Sequence, residues 1–274
     1  QFYGPSTMRL GIEKSRNLMT VRLAQTIGMP TVVDYAERFG IVDEMPDVLS
    51  MSLGAAETTV MRLTAAYAEL VNGGKKITPT LIDRIQDRRG NVIYRRDERE
   101  CTLCQDVEFR NQMPPDLPDT REQLTDPASA FQMVHIMEGV ISRGTGRTIA
   151  ELGYPLAGKT GTTNDSRDAW FVGFSPDLAV GVYVGFDDNR SLGDKEQGAS
   201  AAAPIWKEFM RGALEGTKAI PFRTPPGIRM VRVESRTGLP AGPGAQDVIW
   251  EAFKPGTIPA SNDNVIDGGY SGSG

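Results

Sequence analysis

The sequence predicts a mixed α/β fold in which helices flank short antiparallel strands, and three observations lead to this prediction. Apolar residues recur at helical spacing over much of the first 70 residues. Residues 81–94 have the pattern of a β-hairpin, with two β-rich runs around a turn at Gly90. Residues 159–186 contain three further β-rich runs, and the tight turn at 175–177 makes the last two antiparallel.

The helices are predicted from their apolar faces and from the residues that begin or end them. Gly28 and Gly40 are placed to stop two helices, because glycine adopts the left-handed conformation of a C-cap without steric penalty. Pro30 fits the first turn of a helix, and Asp126 before Pro127 is typical of an N-cap. The predicted helices cover residues 17–27, 30–39, 58–71, 126–144 and 204–214.

The main sheet is predicted to follow a long insertion. Residues 97–124 contain several acidic residues and three prolines, and we expect them to form an excursion on the surface. The β-rich runs come after the next helix, and their residues favour the half-buried surface of a sheet. The strands are predicted at 159–162, 169–174 and 178–186.

A change in composition marks the C-terminal part. The density of Pro and Gly rises after Gly216, and only residues 228–233 and 248–253 have strand patterns there. We therefore predict a main domain over residues 1–217. A C-terminal extension with short strands and a flexible tail is predicted over residues 218–274.

The overall composition excludes several classes of protein. Hydrophobic residues make up 39% and charged residues 24%, as in ordinary globular proteins. The net charge of −5 argues against a nucleic-acid binder, because phosphate binding needs a surplus of Lys and Arg. No apolar run of about 18 residues predicts a membrane-spanning helix. The chain opens on Gln1 rather than on an initiator, so we expect a mature or excised fragment.

Two cysteines, Cys101 and Cys104, form a CxxC pair whose chemistry the sequence leaves open. A disulfide, two free thiols, and a metal or redox pair are all compatible with this spacing. A structural zinc site needs about four ligands, and the single histidine, His135, lies far away in a helical pattern. We expect His135 to be a partly buried helix residue rather than a catalytic base.

Residues 153–160 match the phosphate-binding pattern G-x4-G-K-[ST] letter for letter. Such a loop binds phosphate only where a buried strand precedes it and a helix follows it. Residues 147–152 show no buried-strand pattern, and the residues from Gly161 onward favour turns and strands. Pro155 also removes one of the amide donors. We therefore interpret the match as accidental rather than as a nucleotide site.

The same lysine belongs to a second pattern, K-T-G-T at 159–162, and an S-x-N motif lies far upstream. Serine acyltransferases that act on D-alanyl peptides combine these two motifs with a helix-borne S-x-x-K. Lys159 would attract the terminal carboxylate, and Gly161 would let the substrate backbone approach the strand. Ser15 would relay protons and Asn17 would bind the substrate's peptide. Taken alone, the S-x-N motif could also be a simple helix N-cap.

Flanking stretches raise the specificity of these two motifs. The stretches are 65–74, 142–146, 157–165, 168–171, 184–188 and 203–206. Their order and spacing are similar to those of the class A (bifunctional) penicillin-binding proteins. Residues 225–256 resemble the extension that follows the transpeptidase domain in the 1A type, and the cysteine pair resembles an insertion in some members. The resemblance covers essentially the whole chain.

The resemblance implies a penicillin-binding transpeptidase or β-lactamase-like fold, with a twisted antiparallel sheet flanked by helices and an all-α subdomain. It implies a D,D-transpeptidase that cross-links peptidoglycan stem peptides ending in D-Ala-D-Ala and is acylated by β-lactams. Lys159, Thr160 and Thr162 are then expected to hold the donor's carboxylate, with the Thr162 amide in the oxyanion hole. Ser15 and Asn17 are expected to serve proton transfer and alignment. No metal or organic cofactor is implied.

The family's third motif does not occur in the sequence, because no serine is followed by lysine three residues later. The resemblance places this motif upstream of Ser15, together with a membrane anchor on the periplasmic side of the bacterial inner membrane. We therefore expect the chain alone to be inactive and incomplete as a fold, with the nucleophile on an upstream segment of the same protein. A D-Ala-D-Ala carboxypeptidase, a β-lactamase and a non-catalytic binding module remain alternatives.

Overall fold

The described part of the chain contains six α-helices arranged around a small central sheet. The computed structural model describes residues 4–99, 101, 108, 113, 117–188, 190–260 and 266. Five of the helices lie within about two residues of their predicted bounds, and only α1 has no separate prediction. The helices are α1 (Met8–Glu13), α2 (Asn17–Ile27), α3 (Met29–Arg38), α4 (Val60–Val71), α5 (Pro127–Ser142) and α6 (Ala203–Leu214).

The strands form three antiparallel sheets within the described ranges. The central sheet has the order β3-β4-β5, with Lys159 opposite Val172 and Gly161 opposite Trp170. Because β3 is an edge strand, its outer side has no strand partner among these residues. The strands are β1 (Arg84–Gln86), β2 (Val92–Arg95), β3 (Ala157–Thr162), β4 (Asp168–Phe174), β5 (Ala179–Gly185), β6 (Arg229–Glu234) and β7 (Val248–Phe253).

Apolar side chains cover both faces of the central sheet. Side chains alternate along a strand, so Phe171 and Phe174 of β4 point to opposite faces. Phe174 meets Tyr67 of α4 at 6.3 Å between ring centroids, and it meets Phe222 at 5.7 Å. On the other face Phe171 packs against Trp206 of α6 at 5.1 Å. The neighbouring strand β3 therefore belongs to a layer that is packed from both sides.

A group of buried charges holds α1 against α5 and β7. Arg9 is 5% exposed and donates to both carboxylate oxygens of Glu251 and, at 3.3 Å, to Glu13. Glu13 is 3% exposed and also accepts from Arg143, at the end of α5, at 2.5 Å. Two positive and two negative charges therefore balance, which is the condition under which buried ions are tolerated.

Helix α6 shows where the sequence pattern was incomplete. Ile205 and Phe209 are apolar residues at helical spacing and would be expected to face the core, but their side chains are 52% and 55% exposed. The buried face consists of Trp206, Met210 and Leu214. Both sets recur at helical spacing, so the sequence alone did not distinguish them. The sheet selects the face that carries Trp206, whose indole donates to a backbone carbonyl of β5.

The C-terminal part packs into the same core as the preceding residues. Phe222 and Ala252 are buried beside Phe131 and Phe174. Strands β6 and β7 lie within one residue of their predicted bounds, and they pair with each other. The domain boundary near residue 218 stays a prediction. Most of the predicted flexible tail lies outside the described residues. Within the described ranges, no helix combines the length and apolarity needed to cross a membrane.

The buried charges lead to a prediction for Gly139 in α5. A Cβ at this position would overlap the Glu13 carboxylate, so Gly139→Ala should displace Glu13 from its arginines. We expect the free energy of unfolding to fall by about 3 kcal/mol, measured by denaturant titration. Gly212 in α6 is the matched control, because a Cβ there meets nothing within 4 Å. Gly212→Ala should raise stability by up to about 1 kcal/mol, and equal stability of the two variants would contradict the prediction.

Candidate active site

Ser15 lies in the turn that ends α1. Its amide donates to the Ile12 carbonyl at 3.1 Å, and the Arg16 amide donates to the Gly11 carbonyl at 2.8 Å. This is the hydrogen-bond pattern of a Schellman C-cap, which needs a left-handed residue at the position of Ser15. Ser15 has a φ of 53°, where glycine is usual, so the serine carries backbone strain of roughly 1 kcal/mol.

Lys159 on β3 extends toward this turn. Its Nζ donates to Ser15 Oγ at 2.6 Å and to the Thr160 carbonyl at 2.9 Å. Burial lowers the pKa of Lys159 to about 8, because the charged form loses solvation. Among the residues that the structure describes, no carboxylate pairs with its ammonium group. The site therefore holds a desolvated cation that has a hydroxyl neighbour but no counter-ion from this part of the chain.

Both threonines of the K-T-G-T motif have defined hydrogen-bond partners. Thr160 is 9% exposed, and its Oγ1 lies 2.8 Å from Oγ1 of Thr145. Thr162 is exposed, and its Oγ1 accepts from the Gly198 amide at 3.0 Å. Because an amide N–H can only donate, Thr162 keeps its own hydroxyl proton available for another acceptor.

Gly198 allows the segment before α6 to lie directly against β3, whereas Gly161 allows close contact within the sheet. A Cβ at Gly161 would be 3.2 Å from the Cβ of Trp170 on β4. A Cβ at Gly198 would meet the backbone oxygens of Gly161 and Trp170. The segment that leads into α6 therefore approaches the strand closely, and this approach brings the Gly198 amide to Thr162.

The turn that carries Thr145 is joined to the turn that carries Ser15. The Thr145 amide donates to the Glu13 carbonyl at 3.2 Å. The Lys14 side chain also donates to the Arg143 carbonyl at 2.6 Å. Two turns that lie far apart in the sequence thus run side by side, and each presents a hydroxyl to β3.

The structure brings five of the six predicted site residues together and leaves one apart. Ser15 contacts Lys159, and the motif's other residues continue along the same strand. Asn17 is exposed as the first residue of α2, and its side chain forms no hydrogen bond with a described residue. The N-cap interpretation of Ser15 is wrong, because Arg16 occupies the N-cap of α2 and Ser15 closes the preceding helix.

Sequence reasoning missed the residues that support the motifs. Thr145 and Gly198 contact the two threonines, and Glu13 fixes the turn between them and Ser15. Thr145 lies in the stretch 142–146, and the similarity of this stretch to the family could have indicated a role for Thr145 at the site. Nothing in the sequence pattern distinguished Gly198 or Glu13.

The nucleotide-binding alternative does not fit the local structure. A 3-10 helix, Arg147–Leu152, precedes the glycine-rich stretch, and Lys159 lies within β3. A phosphate-binding loop requires the opposite arrangement, with a strand before the loop and a helix after it. No helix N-terminus is therefore available to phosphate at this position.

His135 and Cys101, the other polar residues considered from the sequence, make contacts that support the fold. His135 is largely buried, with Nε2 2.9 Å from the Trp250 carbonyl and its ring stacked on Phe131. Cys101 is disulfide-bonded, whereas Cys104 lies outside the described residues. In the described ranges, no group of three or more His, Cys, Asp or Glu side chains could hold a metal ion.

Known proteins with similar sequence or structure identify the arrangement. Residues 1–211 match the family described as penicillin binding protein transpeptidase domain. Penicillin-binding protein 1A of Rickettsia bellii is 42% identical over 275 residues, covering 99% of this chain and 34% of that protein. The chain thus spans about a third of the length of the curated relatives it matches. These matches confirm the resemblance found from the sequence.

Solved structures give the same result for the fold. Penicillin-binding protein 1A from Haemophilus influenzae superposes with a TM-score of 0.80 and 31% identity, covering 95% of this chain and 42% of that one. The PonA1 protein from Mycobacterium tuberculosis, solved in complex with penicillin V, has a TM-score of 0.64 and 26% identity. The superposition covers 80% of this chain and 59% of the PonA1 chain. The predicted fold class is confirmed.

The left-handed conformation of Ser15 leads to a second prediction. Ser15→Gly and Ser15→Ala both remove the hydroxyl, but only glycine relieves the strained φ. We expect the glycine variant to be more stable than the alanine variant by about 1 kcal/mol, measured by calorimetry. Ser142 in α5 is the control, because there the helical backbone should favour alanine over glycine. The same order of stability at both positions would contradict the strain at Ser15.

Proposed function

The chain belongs to the penicillin-binding protein transpeptidase family, and from this premise we propose that it forms part of a peptidoglycan D,D-transpeptidase. It would supply the S-x-N and K-T-G-T elements of a serine acyl-enzyme active site. The substrates would be stem peptides ending in D-Ala-D-Ala, and β-lactams would acylate the same serine.

The observation that carries this proposal is the state of Lys159. Its ammonium group is desolvated, has no counter-ion in the described part of the chain, and lies on an edge strand that also carries the hydroxyls of Thr160 and Thr162. A substrate carboxylate would supply the missing charge and accept from the hydroxyls. The free outer side of β3 would let the extended substrate peptide lie along the strand. A D-alanyl carboxylate fits all of these features.

The chemistry would proceed in two balanced steps. In the first step, the serine hydroxyl loses its proton to a neighbouring base and its Oγ bonds to the penultimate D-alanine carbonyl. The peptide C–N bond then breaks, and the nitrogen takes a proton as D-alanine leaves. In the second step, an amine of another stem peptide attacks the ester carbonyl and gives up a proton as the new C–N bond forms. The ester C–O bond breaks, and the serine oxygen takes up a proton to regenerate the hydroxyl.

We propose that the chain shares this work with an upstream segment of the same protein. That segment would carry the S-x-x-K serine and lysine, since the sequence has no such motif. Ser15 Oγ accepts from Lys159 and keeps its own proton, so it could relay a proton to the leaving nitrogen. Asn17 would align the substrate's peptide from the start of α2. An anchor in the same upstream region would hold the enzyme at the periplasmic side of the bacterial inner membrane.

Labelling by fluorescent penicillin tests this function. A polypeptide that joins this chain to the S-x-x-K segment should become covalently labelled, whereas the chain alone should not. Lys159→Ala should lower the labelling rate by about a hundredfold, because the carboxylate loses its cation. Lys218→Ala, at an exposed position, is the control and should leave the rate unchanged. Absence of a label on the joined polypeptide would refute the proposal.

The lowered pKa of Lys159 predicts how acylation depends on pH. Below about pH 8 the ammonium is charged and attracts the ligand carboxylate, and this attraction is lost as the pH rises through the pKa of about 8. The second-order acylation rate constant should therefore fall with an apparent pKa near 8. In Lys159→Arg the guanidinium stays charged, so this decline should move above about pH 10. An unchanged alkaline limb in the arginine variant would exclude Lys159 as its source.

A further inference from the structure

Thr145 lies in a rigid turn between α5 and β3. Its amide is held by the Glu13 carbonyl at 3.2 Å, and the Gly146 amide after it donates to the Val140 carbonyl at 3.0 Å. A Cβ at Gly144 would overlap backbone atoms of Glu13 and Val140, so only glycine permits this path. The turn therefore has little freedom to move its hydroxyl relative to β3.

Among the described residues, the hydroxyl of Thr145 is hydrogen-bonded to the hydroxyl of Thr160. The two Oγ1 atoms are 2.8 Å apart, and Thr160 is 9% exposed. At this separation one hydroxyl donates and the other accepts. If Thr145 donates, the single proton of Thr160 is free to point away from Thr145. The nearby hydroxyl of Thr162 is already in this state, because the Gly198 amide donates to it.

We propose that Thr145 is a positioning residue that donates to Thr160 and thereby directs the Thr160 proton to the substrate carboxylate. This inference rests on the proposed function, because it concerns the same carboxylate site. Thr145 itself does not touch the substrate. It orders a short chain of hydrogen bonds from Thr145 through Thr160 to the carboxylate, and each bond in such a chain polarises the next.

The contact between Thr145 and Thr160 also explains why the Thr160 hydroxyl needs a second hydroxyl next to it. A threonine hydroxyl rotates freely unless a neighbour occupies one of its lone pairs. With Thr145 donating, the rotamers of the Thr160 proton that face Thr145 are excluded. Both threonines of the motif would then have a proton free for the substrate carboxylate. Two hydroxyl donors on β3 would thus be ordered before the ligand arrives, which reduces the cost of binding.

The test compares two ligands that differ only at the carboxylate. The protein is the polypeptide that joins this chain to the S-x-x-K segment, and the probes are benzylpenicillin and its methyl ester. Thr145→Val keeps the shape and removes the hydroxyl. We expect it to lower the acylation rate constant for the free acid by about tenfold and that for the ester by less than about twofold. Thr145→Ser retains the hydroxyl and should keep the wild-type preference for the free acid.

A double-mutant cycle tests whether Thr145 acts through Thr160. In a Thr160→Val background, Thr145→Val should have no further effect on the free acid. Thr217→Val is the matched control, because it removes a part-buried hydroxyl bonded only to a helix carbonyl. An equal loss with acid and ester, no loss with either, or a full loss in the Thr160→Val background would overturn the proposal.

Two outcomes separate this inference from the proposed function. If the wild-type polypeptide is not acylated by either probe, the proposed function itself is wrong. If it is acylated and Thr145→Val behaves like wild type, only the role of Thr145 is wrong. Should Thr145→Val fail to fold, Thr145→Ala removes the same hydroxyl, and an unchanged preference of that variant for the free acid would overturn the proposal.

Discussion

The buried carboxylate of Glu13 is the constraint on which the site depends. It lies between Arg9 and Arg143, and a carboxylate left without these partners would be destabilising by about 3–5 kcal/mol. The ends of α1 and α5 are therefore fixed relative to each other. Because the Glu13 carbonyl also accepts from Thr145, and Ser15 follows two residues later, one buried charge orders both hydroxyls that face β3.

The same charges make the C-terminal hairpin part of the site's support. Arg9 donates to Glu251 on β7 and also to the His135 carbonyl on α5 at 3.1 Å. His135 in turn contacts the Trp250 carbonyl on β7 at 2.9 Å. The hairpin is remote from Lys159 in the sequence, and its sequence pattern suggested only an extension. In the structure the hairpin supplies Glu251, the second carboxylate of the ion group that holds α1. Removing the hairpin would take this partner from Arg9 and disturb the contacts of Arg9 and Glu13.

The sequence predicted the elements and the motif residues because both depend on local patterns. The helix bounds follow from caps such as Asp126 and Gly28, and the K-T-G-T motif is contiguous on one strand. Two of the ion pairs that hold α1, Arg9 with Glu251 and Glu13 with Arg143, join residues more than 100 positions apart, and no local pattern encodes them. Arg9 and Glu13 are spaced like an ordinary exposed i,i+4 pair, which is why their burial was not foreseen.

Under the proposed function, the lack of a counter-ion near Lys159 among the described residues follows from what the site would bind. An aspartate or glutamate within reach would offset the desolvation of the ammonium group and restore its pKa toward the ordinary value. Such a residue would stabilise the folded chain, but it would also occupy the position that a ligand carboxylate must take. The structure instead gives the Lys159 ammonium two neutral acceptors, Ser15 Oγ and the Thr160 carbonyl. The cost of the unpaired charge is thus retained in the free protein, and under the proposed function the binding of a carboxylate would relieve it.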